Sequence, residues 1–575
     1  MKHRLLLIII ILFGMNICVN AQTESLKFNR DNFTLQSLEM YNGQTITFRA
    51  YEGLCYVTNP EDTAFQKLNI YIPESIIGKH KGIPVFVRTY IGGYMAASAK
   101  RPSADDATGR ALQEGYVVCI AGSRGSNSVA DNGGVNVFTG KAPKALLDLK
   151  AAIRYLKYND STIEGDSELI ITDGTSTGGA MSALLGASGN HPAFEKALEF
   201  MGAAKTTDDV FASVCYCPIT DLDHADMAYE WLFSCTNDST RELTNQTKQI
   251  SKELSAQFPA YINSLKLTAP KGMRFIKEGE RITADNYMDY IKSWLILSFQ
   301  KAKNEGVFLP ENTGIVLNKT HNPITDLLNN DNVGKHSANS TDNTYNATRP
   351  RGGNDMNGDR PPMTWEGGEF SPQNSRFTRE NSPMRRENGG ANNRNNEPNT
   401  TKNSRNNQKG RMMMQKRQGE FVVDIDMTKY LNYIASNQPL KTPPAFDSKG
   451  VYKGAVASAE NNVFGDEYGS SVNFTQYSIM KTQGNQAKQN DNVFRNVRLY
   501  NPMNFIGNDK AVNAPHWYIR HGALDRDTSF PVPVNLATKL MNDGKDVNFA
   551  LPYNRNHSGD YNLDDLFSWI NDIIK

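Results

Sequence analysis

Short apolar runs alternate with helical patterns along most of the chain. Runs rich in Val, Ile, Leu and aromatic residues predict strands, which lie at 68–72, 84–89, 116–121, 169–172, 210–217, 516–520 and 547–551. Apolar residues at helical spacing predict helices among them, at 146–156, 179–186, 288–302 and 563–574. Because short buried strands that alternate with helices form parallel sheets covered on both faces, the pattern predicts an α/β fold.

The rhythm of strands and helices breaks between residues 219 and 490. We expect this long, partly helical stretch to form a cap or lid domain, inserted between core segments 22–218 and 491–575. Within it, residues 341–417 contain no Val, Ile, Leu or Cys, and carry 11 Arg and 3 Lys against 3 Asp and 5 Glu. Such a segment cannot bury enough apolar surface to offset its ordering entropy, so we expect it to be disordered. It is either a tether to an acidic surface or a tolerated surface loop.

The first 21 residues have the pattern of a secretory signal peptide. A basic start at residues 2–4 precedes an apolar run at 5–13, and residues 19–21 (VNA) are typical of a cleavage site after Ala21. No later apolar run reaches the roughly 18 residues of a membrane span. We therefore expect a secreted or periplasmic protein with no membrane segment after cleavage.

Charge and cysteine content exclude several classes of protein. The 575 residues include 62 Lys and Arg against 61 Asp and Glu, whereas nucleic-acid-binding proteins usually carry a basic excess. Five cysteines remain after cleavage, an odd number and too few for a disulfide scaffold. The spacing of Cys215 and Cys217 fits neither a zinc site nor a redox pair. We expect no metal, no cofactor and no nucleic-acid partner.

The segment 174–179 (GTSTGG) follows a predicted strand and begins a predicted helix. That context makes G-x-S-x-G a candidate nucleophile elbow, a strained turn that presents Ser176 above the sheet. Gly174 and Gly178 supply the space that such a turn needs. The alternative is a glycine-rich turn without chemistry.

A serine hydroxyl needs a base, and the base needs a carboxylate to orient it, in the chain order Ser, Asp, His. Asp525 and His557 follow the last two predicted strands, where ligands bind in open α/β sheets. We predict His557 as the base and Asp525 as its partner. Asp527 or Asp560 could orient the imidazole instead, and His521, which is closer to the sheet than His557, could be a core histidine.

Backbone amides should stabilise the oxyanion of the reaction. We expect one donor at Thr177, directly after the nucleophile. The second should come from Gly92 and Gly93, which follow the predicted strand 84–89. An ordinary Gly-Gly turn is the alternative at that place.

Several segments resemble those of the bacterial tannases, which are α/β-hydrolase esterases that cleave galloyl esters. They are GTSTGG at 174–179, HGALDRD at 521–527, NH at 556–557, and the cap segments LKTPPAFD at 440–447 and SAENNVFG at 458–465. The resemblance covers roughly residues 65–220 and 430–575. It implies an α/β-hydrolase fold, a mostly parallel sheet with helices on both faces and a large inserted cap.

The resemblance also implies contacts to the acyl group. In tannases a Lys and a Glu of the cap, and the second Asp of an Asp-x-Asp pair, contact the phenolic hydroxyls of the galloyl ring. The matching positions are Lys441, Glu460 and Asp527. Their chemistry suits the role, because carboxylates accept from phenolic O–H groups and an ammonium donates to phenolic oxygen. Residues 447–458 lengthen the interval between the Lys and the Glu, which could move the Glu.

The sequence therefore favours an exported serine esterase that hydrolyses galloyl esters through a Ser-His-Asp acyl-enzyme mechanism. Its expected partner is a small aromatic ester, and its oligomeric state is left open. The alternatives are a feruloyl or other carboxylic ester hydrolase, or a prolyl-oligopeptidase-like peptidase of the same fold. A non-catalytic exported protein that binds glycans or polyphenols is the alternative of another class.

Overall fold

The computed structural model describes residues 25–236, 245–318, 421–446 and 457–575. The predicted signal peptide at 1–21 and the predicted disordered segment at 341–417 lie outside the described residues. By their mutual contacts, all the described residues belong to one body. The boundaries of a separate cap at 219–490 remain a prediction.

The strands are β1 (Thr34–Glu39), β2 (Thr45–Cys55), β3 (Lys67–Pro73), β4 (Val85–Thr89), β5 (Val117–Ala121), β6 (Val129–Asn132), β7 (Val135–Phe138), β8 (Ile170–Thr175), β9 (Ala212–Tyr216), β10 (Ile315–Asn318), β11 (Phe421–Ile425), β12 (His516–Arg520) and β13 (Asp546–Ala550). The α-helices are α1 (Ala107–Gln113), α2 (Lys144–Tyr158), α3 (Thr177–Ala187), α4 (Glu195–Phe200), α5 (Leu222–Phe233), α6 (Asn245–Leu265), α7 (Tyr287–Asn304), α8 (Met427–Asn437), α9 (Ala459–Val463), α10 (Gln476–Gln483), α11 (Asp491–Leu499), α12 (Pro531–Asn542) and α13 (Leu563–Ile573). Short 3₁₀ turns lie at Glu74–Ile76, Ser167–Leu169, Pro444–Phe446 and Pro502–Asn504.

Nine of the strands form one sheet in the order β1-β2-β3-β5-β4-β8-β9-β12-β13. Six strands of this sheet, in the order β5-β4-β8-β9-β12-β13, are parallel to their neighbours within that run. Strands β1, β2 and β3 extend the sheet in antiparallel fashion beyond β5. The predicted fold class, a mostly parallel sheet within an α/β architecture, is confirmed.

Both faces of the sheet are covered by apolar cores. Along β5, Val117 and Cys119 belong to one cluster of buried residues, and Val118 and Ile120 belong to another. The first cluster includes residues of α2, α3 and α12, and the second includes residues of α1 and α13. Because side chains alternate along a strand, this division requires helices on both faces, which explains the continuous apolar pattern of the strands.

The helices α5 to α11 lie in the chain between β9 and β12, which are adjacent in the sheet. One of them, α7, is anchored to the core helix α12 through the hydroxyls of Tyr287 and Tyr290. The first donates to Asn535 Oδ1 over 2.5 Å, and the second lies 2.6 Å from Thr538 Oγ1. Within the described ranges, no helix has the length and apolar character needed to cross a membrane.

Candidate active site

Ser176 lies between β8 and α3, in the strained turn that the sequence predicts. Its backbone has φ 61° and ψ −122°, in the region that non-glycine residues rarely adopt. A Cβ atom at Gly174 would lie 2.3 Å from the backbone of Gly178, so the turn requires glycine there. The Ser176 N–H donates to the carbonyl of Tyr216 over 2.9 Å, which fixes the turn to the end of β9.

His557 and Asp525 reach the serine from the loops that follow β13 and β12. His557 Nε2 is 2.8 Å from Ser176 Oγ, and His557 Nδ1 is 2.8 Å from Asp525 Oδ2. The two loops pack closely, because a Cβ atom at Gly522 would lie 2.2 Å from the carbonyl oxygen of Arg555. The structure thus aligns a hydroxyl, an imidazole and a carboxylate in one hydrogen-bonded chain.

The electrostatic environment of this chain suits proton transfer. Asp525 is fully buried, and its Oδ1 accepts the Asp527 N–H over 2.7 Å. Burial alone would raise the pKa of Asp525, but His557 and His521 hold it well below its usual range. Burial alone would lower the pKa of His557, but the Asp525 carboxylate raises it well above its usual value. The imidazole is therefore a strengthened acceptor for the serine proton.

The other carboxylates that could orient the imidazole, and the second histidine of this region, have contacts of their own. Asp527 Oδ1 is 3.0 Å from the ammonium of Lys441. Asp560 Oδ2 is 2.7 Å from Arg88, whose guanidinium also pairs with the buried Asp173. His521 is fully buried behind Asp525, with its Nδ1 3.6 Å from Asp525 Oδ2.

The residues expected to stabilise the oxyanion adjoin one another. Thr177 is the first residue of α3, and its hydroxyl accepts the N–H of Tyr94 over 3.3 Å. Gly93 and Tyr94 have φ angles of 55° and 56°, so the chain turns sharply after β4. This bond brings the segment of Gly92 and Gly93 beside the nucleophile turn.

A cavity beside the triad contains all three residues matched to the galloyl contacts: Lys441, Glu460 and Asp527. Asp527 links the cavity to Asp525 through the hydrogen bond from its backbone N–H to Asp525 Oδ1. Ile219 also lines the cavity, and its N–H donates to the Ser176 carbonyl over 3.4 Å. Of the interval 447–458, residues 447–456 lie outside the described ranges. Glu460 nevertheless faces the same cavity as Lys441.

Helix α5 contributes two polar cavity residues that no sequence pattern indicates. The Tyr229 hydroxyl donates to the Arg526 carbonyl over 2.7 Å and accepts the Lys441 N–H over 2.9 Å. Asp226 Oδ2 accepts the Ala445 N–H over 3.2 Å. Burial raises the pKa of Asp226 well above its usual value, which favours a neutral carboxyl group beside the cavity. The partners come from distant segments, so no local pattern signals either residue.

Two groups of described side chains place three potential metal ligands within 4.8 Å of one another: Cys217, Asp525 and His557, and Asp221, Asp223 and His224. In the second group, His224 Nδ1 is 2.8 Å from Asp221 Oδ1 and 3.5 Å from Asp223 Oδ1, so internal ion pairs account for the arrangement. The first group overlaps the triad. The sequence alone indicates no role for the cysteine of this group.

Comparison with known proteins gives the family. The BD-FAE family model matches residues 68–270, and none of the curated proteins compared matches the chain. The solved tannase of Fusobacterium nucleatum is 31% identical, with 96% of this chain and 99% of that chain covered and a TM-score of 0.68. The tannase from Lactobacillus plantarum is 29% identical over the same shares, with a TM-score of 0.70. A tannin acyl hydrolase solved in complex with ethyl gallate is 29% identical, with the same coverage and a TM-score of 0.69. The chain thus belongs to the tannase family, the carboxylic ester hydrolases of α/β-hydrolase fold that its sequence resembles.

Proposed function

We propose that the protein hydrolyses galloyl esters through an acyl-enzyme formed on Ser176. The observation that carries the proposal is the chain of two 2.8 Å contacts from Ser176 Oγ through His557 to Asp525. This chain lies beside a cavity that contains Lys441 and Asp527.

In the first half of the reaction, Ser176 Oγ attacks the ester carbonyl while His557 Nε2 takes its proton. Asp525 keeps the imidazole in the required tautomer and stabilises the imidazolium. The amides of Thr177 and of the Gly92–Gly93 segment donate to the oxyanion. Collapse of the tetrahedral intermediate expels the alcohol, which receives the proton from His557. Water then attacks the acyl-enzyme by the same route and releases the acid.

The polar groups of the cavity provide the basis for acyl specificity. Carboxylates of Glu460 and Asp527 can accept from phenolic hydroxyls, and the Lys441 ammonium can donate to phenolic oxygen. Relatives have been solved in complex with ethyl gallate and with 3,4-dihydroxybenzoate, and both bound molecules have hydroxylated rings of this kind. A site built to pair several hydroxyls rejects rings that lack them, because its own polar groups would be left unpaired.

We further propose that the protein is exported. The support is the sequence pattern of residues 1–21, with its basic start, apolar run and small-residue cleavage site. Sequencing the amino terminus of the protein recovered from the culture medium or the periplasm tests this. A mature chain that starts at Gln22 agrees with the proposal, and a retained Met1 contradicts it.

The mechanism is tested with Ser176→Ala and a matched control, Ser264→Ala, at an exposed serine of α6. We expect Ser176→Ala to lose at least about 10³-fold in kcat on methyl gallate and to lose labelling by a fluorophosphonate probe. The control should keep both. Methyl gallate hydrolysis at the wild-type rate by Ser176→Ala would refute the mechanism. A wild-type protein that neither turns over esters nor reacts with the probe would indicate a non-catalytic binding protein.

The acyl preference is tested separately, with methyl gallate, methyl ferulate and methyl benzoate. We expect kcat/KM to be highest for methyl gallate and lowest for the benzoate, which has no hydroxyls. A preference for ferulate would indicate a feruloyl esterase and would exclude the three-hydroxyl pocket.

A further inference from the structure

Cys217 follows β9 directly and is fully buried. Its backbone is left-handed, with φ 44°, and its N–H donates to the Arg520 carbonyl over 2.7 Å. The preceding carbonyl, that of Tyr216, accepts the amide of Ser176. The end of β9 is therefore fixed both to β12 and to the nucleophile turn.

The thiol of Cys217 lies against the loop that carries the base. Its Sγ is 3.3 Å from the Ser558 carbonyl oxygen and 4.0 Å from the Asn556 carbonyl oxygen, and these two residues flank His557. The sulfur, a ring nitrogen of His557 and a carboxylate oxygen of Asp525 all lie within 4.8 Å of one another. The thiol thus contacts the base loop on both sides of the imidazole.

His521 closes the other side of this group. It is fully buried, and neither ring nitrogen has a partner at hydrogen-bonding geometry. Its nearest polar neighbours are the Asp525 carboxylate, at 3.6 Å, and the Cys217 thiol, which interacts with its ring. A buried polar side chain without a good hydrogen bond is costly, and its presence in a native structure calls for an explanation. Cys217 and His521 are thus both buried side chains that lie next to members of the triad.

We propose that Cys217 is a positioning residue for the base: its thiol donates to the Ser558 carbonyl and holds His557 at the distance from Ser176 that proton transfer requires. The proposal rests on the proposed function of the triad. One short segment, residues 216–217, thereby fixes both reacting groups, with the Tyr216 carbonyl holding the nucleophile and the Cys217 thiol holding the base. Geometric errors of about 1 Å can cost about 100-fold in rate, so the bond has a measurable role.

The test compares Cys217→Ala, which removes the donor, with Cys217→Ser, which keeps one. Cys215→Ala is a matched control, because Cys215 is fully buried two residues earlier on β9 and its thiol faces Ser213 Oγ at 3.2 Å. With methyl gallate, we expect Cys217→Ala to lower kcat by about 10-fold or more. KM should stay within about two-fold, because the acyl pocket is untouched, and Cys217→Ser should recover most of kcat. The control should keep wild-type kcat.

Thermal unfolding of each variant separates positioning from a purely structural role. If Cys217→Ala does not fold, Cys217→Gly replaces it, since glycine suits the left-handed backbone. A variant without the donor that keeps wild-type kcat overturns the proposal. So does a Cys217→Ser variant that is as slow as Cys217→Ala. If Ser176→Ala is inactive while Cys217→Ala is normal, only the positioning role fails, whereas an active Ser176→Ala refutes the proposed function itself.

Discussion

The hydroxyl of Tyr229 provides a sharp test of how the cavity recognises an acyl group. It bonds the carbonyl of Arg526, next to Asp527, and the amide of Lys441, while the side chains of Lys441 and Asp527 pair over 3.0 Å. One oxygen atom thus holds both backbone segments that carry this ion pair. Tyr229→Phe removes that oxygen and keeps the ring, which is largely buried.

The magnitude follows from the two hydrogen bonds that are lost. Each contributes about 1 kcal/mol net, so Tyr229→Phe removes about 2 kcal/mol of the hydrogen-bond free energy that holds the segments of the acyl pocket in place. Since about 1.4 kcal/mol corresponds to a factor of ten, kcat/KM for methyl gallate should fall by about 30-fold at most. Methyl benzoate lacks the hydroxyls that the ion pair would contact, so its kcat/KM should change little.

The assay is the ratio of kcat/KM for methyl gallate to that for methyl benzoate. Tyr290→Phe is the matched control, because Tyr290 is also buried and its hydroxyl contacts Thr538 Oγ1, away from the cavity. We expect the control to lose stability but to keep the ratio. If Tyr229→Phe keeps the wild-type ratio, the hydroxyl does not organise the acyl pocket, and the reasoning is wrong.

Three further predictions concern charge. Because the Asp525 carboxylate raises the pKa of His557, kcat/KM should fall as the pH drops through a value above the ordinary 6.5. Asp525→Asn should move this acidic fall in kcat/KM to lower pH, and an unchanged position would contradict the effect of Asp525 on His557. Arg88→Met leaves the buried Asp173 and the partly exposed Asp560 without their cation, and should lower the free energy of unfolding in urea by about 3–5 kcal/mol. The exposed Arg101→Met is its control, and equal losses in the two variants would contradict the prediction. Burial alone would lower the pKa of His224, but two neighbouring carboxylates raise it to about 10. The ion pairs of His224 with these carboxylates contribute fully to stability below about pH 6.5, and this contribution disappears as the pH rises to 10. The Tm difference between wild type and His224→Gln should therefore shrink over that range, and a constant difference would contradict the prediction.

The sequence predicts the parallel part of the fold well, because those strands are buried on both faces and their apolar runs are continuous. The antiparallel strands β1 and β2 escape this signal. In β1 exposed and half-buried residues alternate, and Leu35 is exposed. The edge strand β1 is half-solvated, and in β2 exposed and buried residues alternate over 45–48, so neither strand has the continuous apolar run by which the other strands were predicted.

The candidate triad could be predicted because the sequence shows both where each predicted strand ends and the order of Ser, Asp and His along the chain. Ser176, Asp525 and His557 each follow a recognisable strand, and parallel strands bring their carboxyl ends to one edge of the sheet. Cys217 and Tyr229 could not be predicted in the same way. Their partners are backbone carbonyls and amides of residues that are distant in the chain, and no spacing rule records such contacts.

The pairing of β10 with β11 has a practical consequence for engineering the chain. Asn318 and Phe421 are directly opposite each other in this antiparallel ladder, so the two points at which residues 319–420 leave and re-enter the described structure are a strand spacing apart. A turn of two to five residues can join antiparallel neighbours at that spacing. A shortened gene that encodes Asn318, a Gly-containing turn and Phe421 therefore needs no redesign of the two strands, and offers a smaller esterase for crystallisation and display.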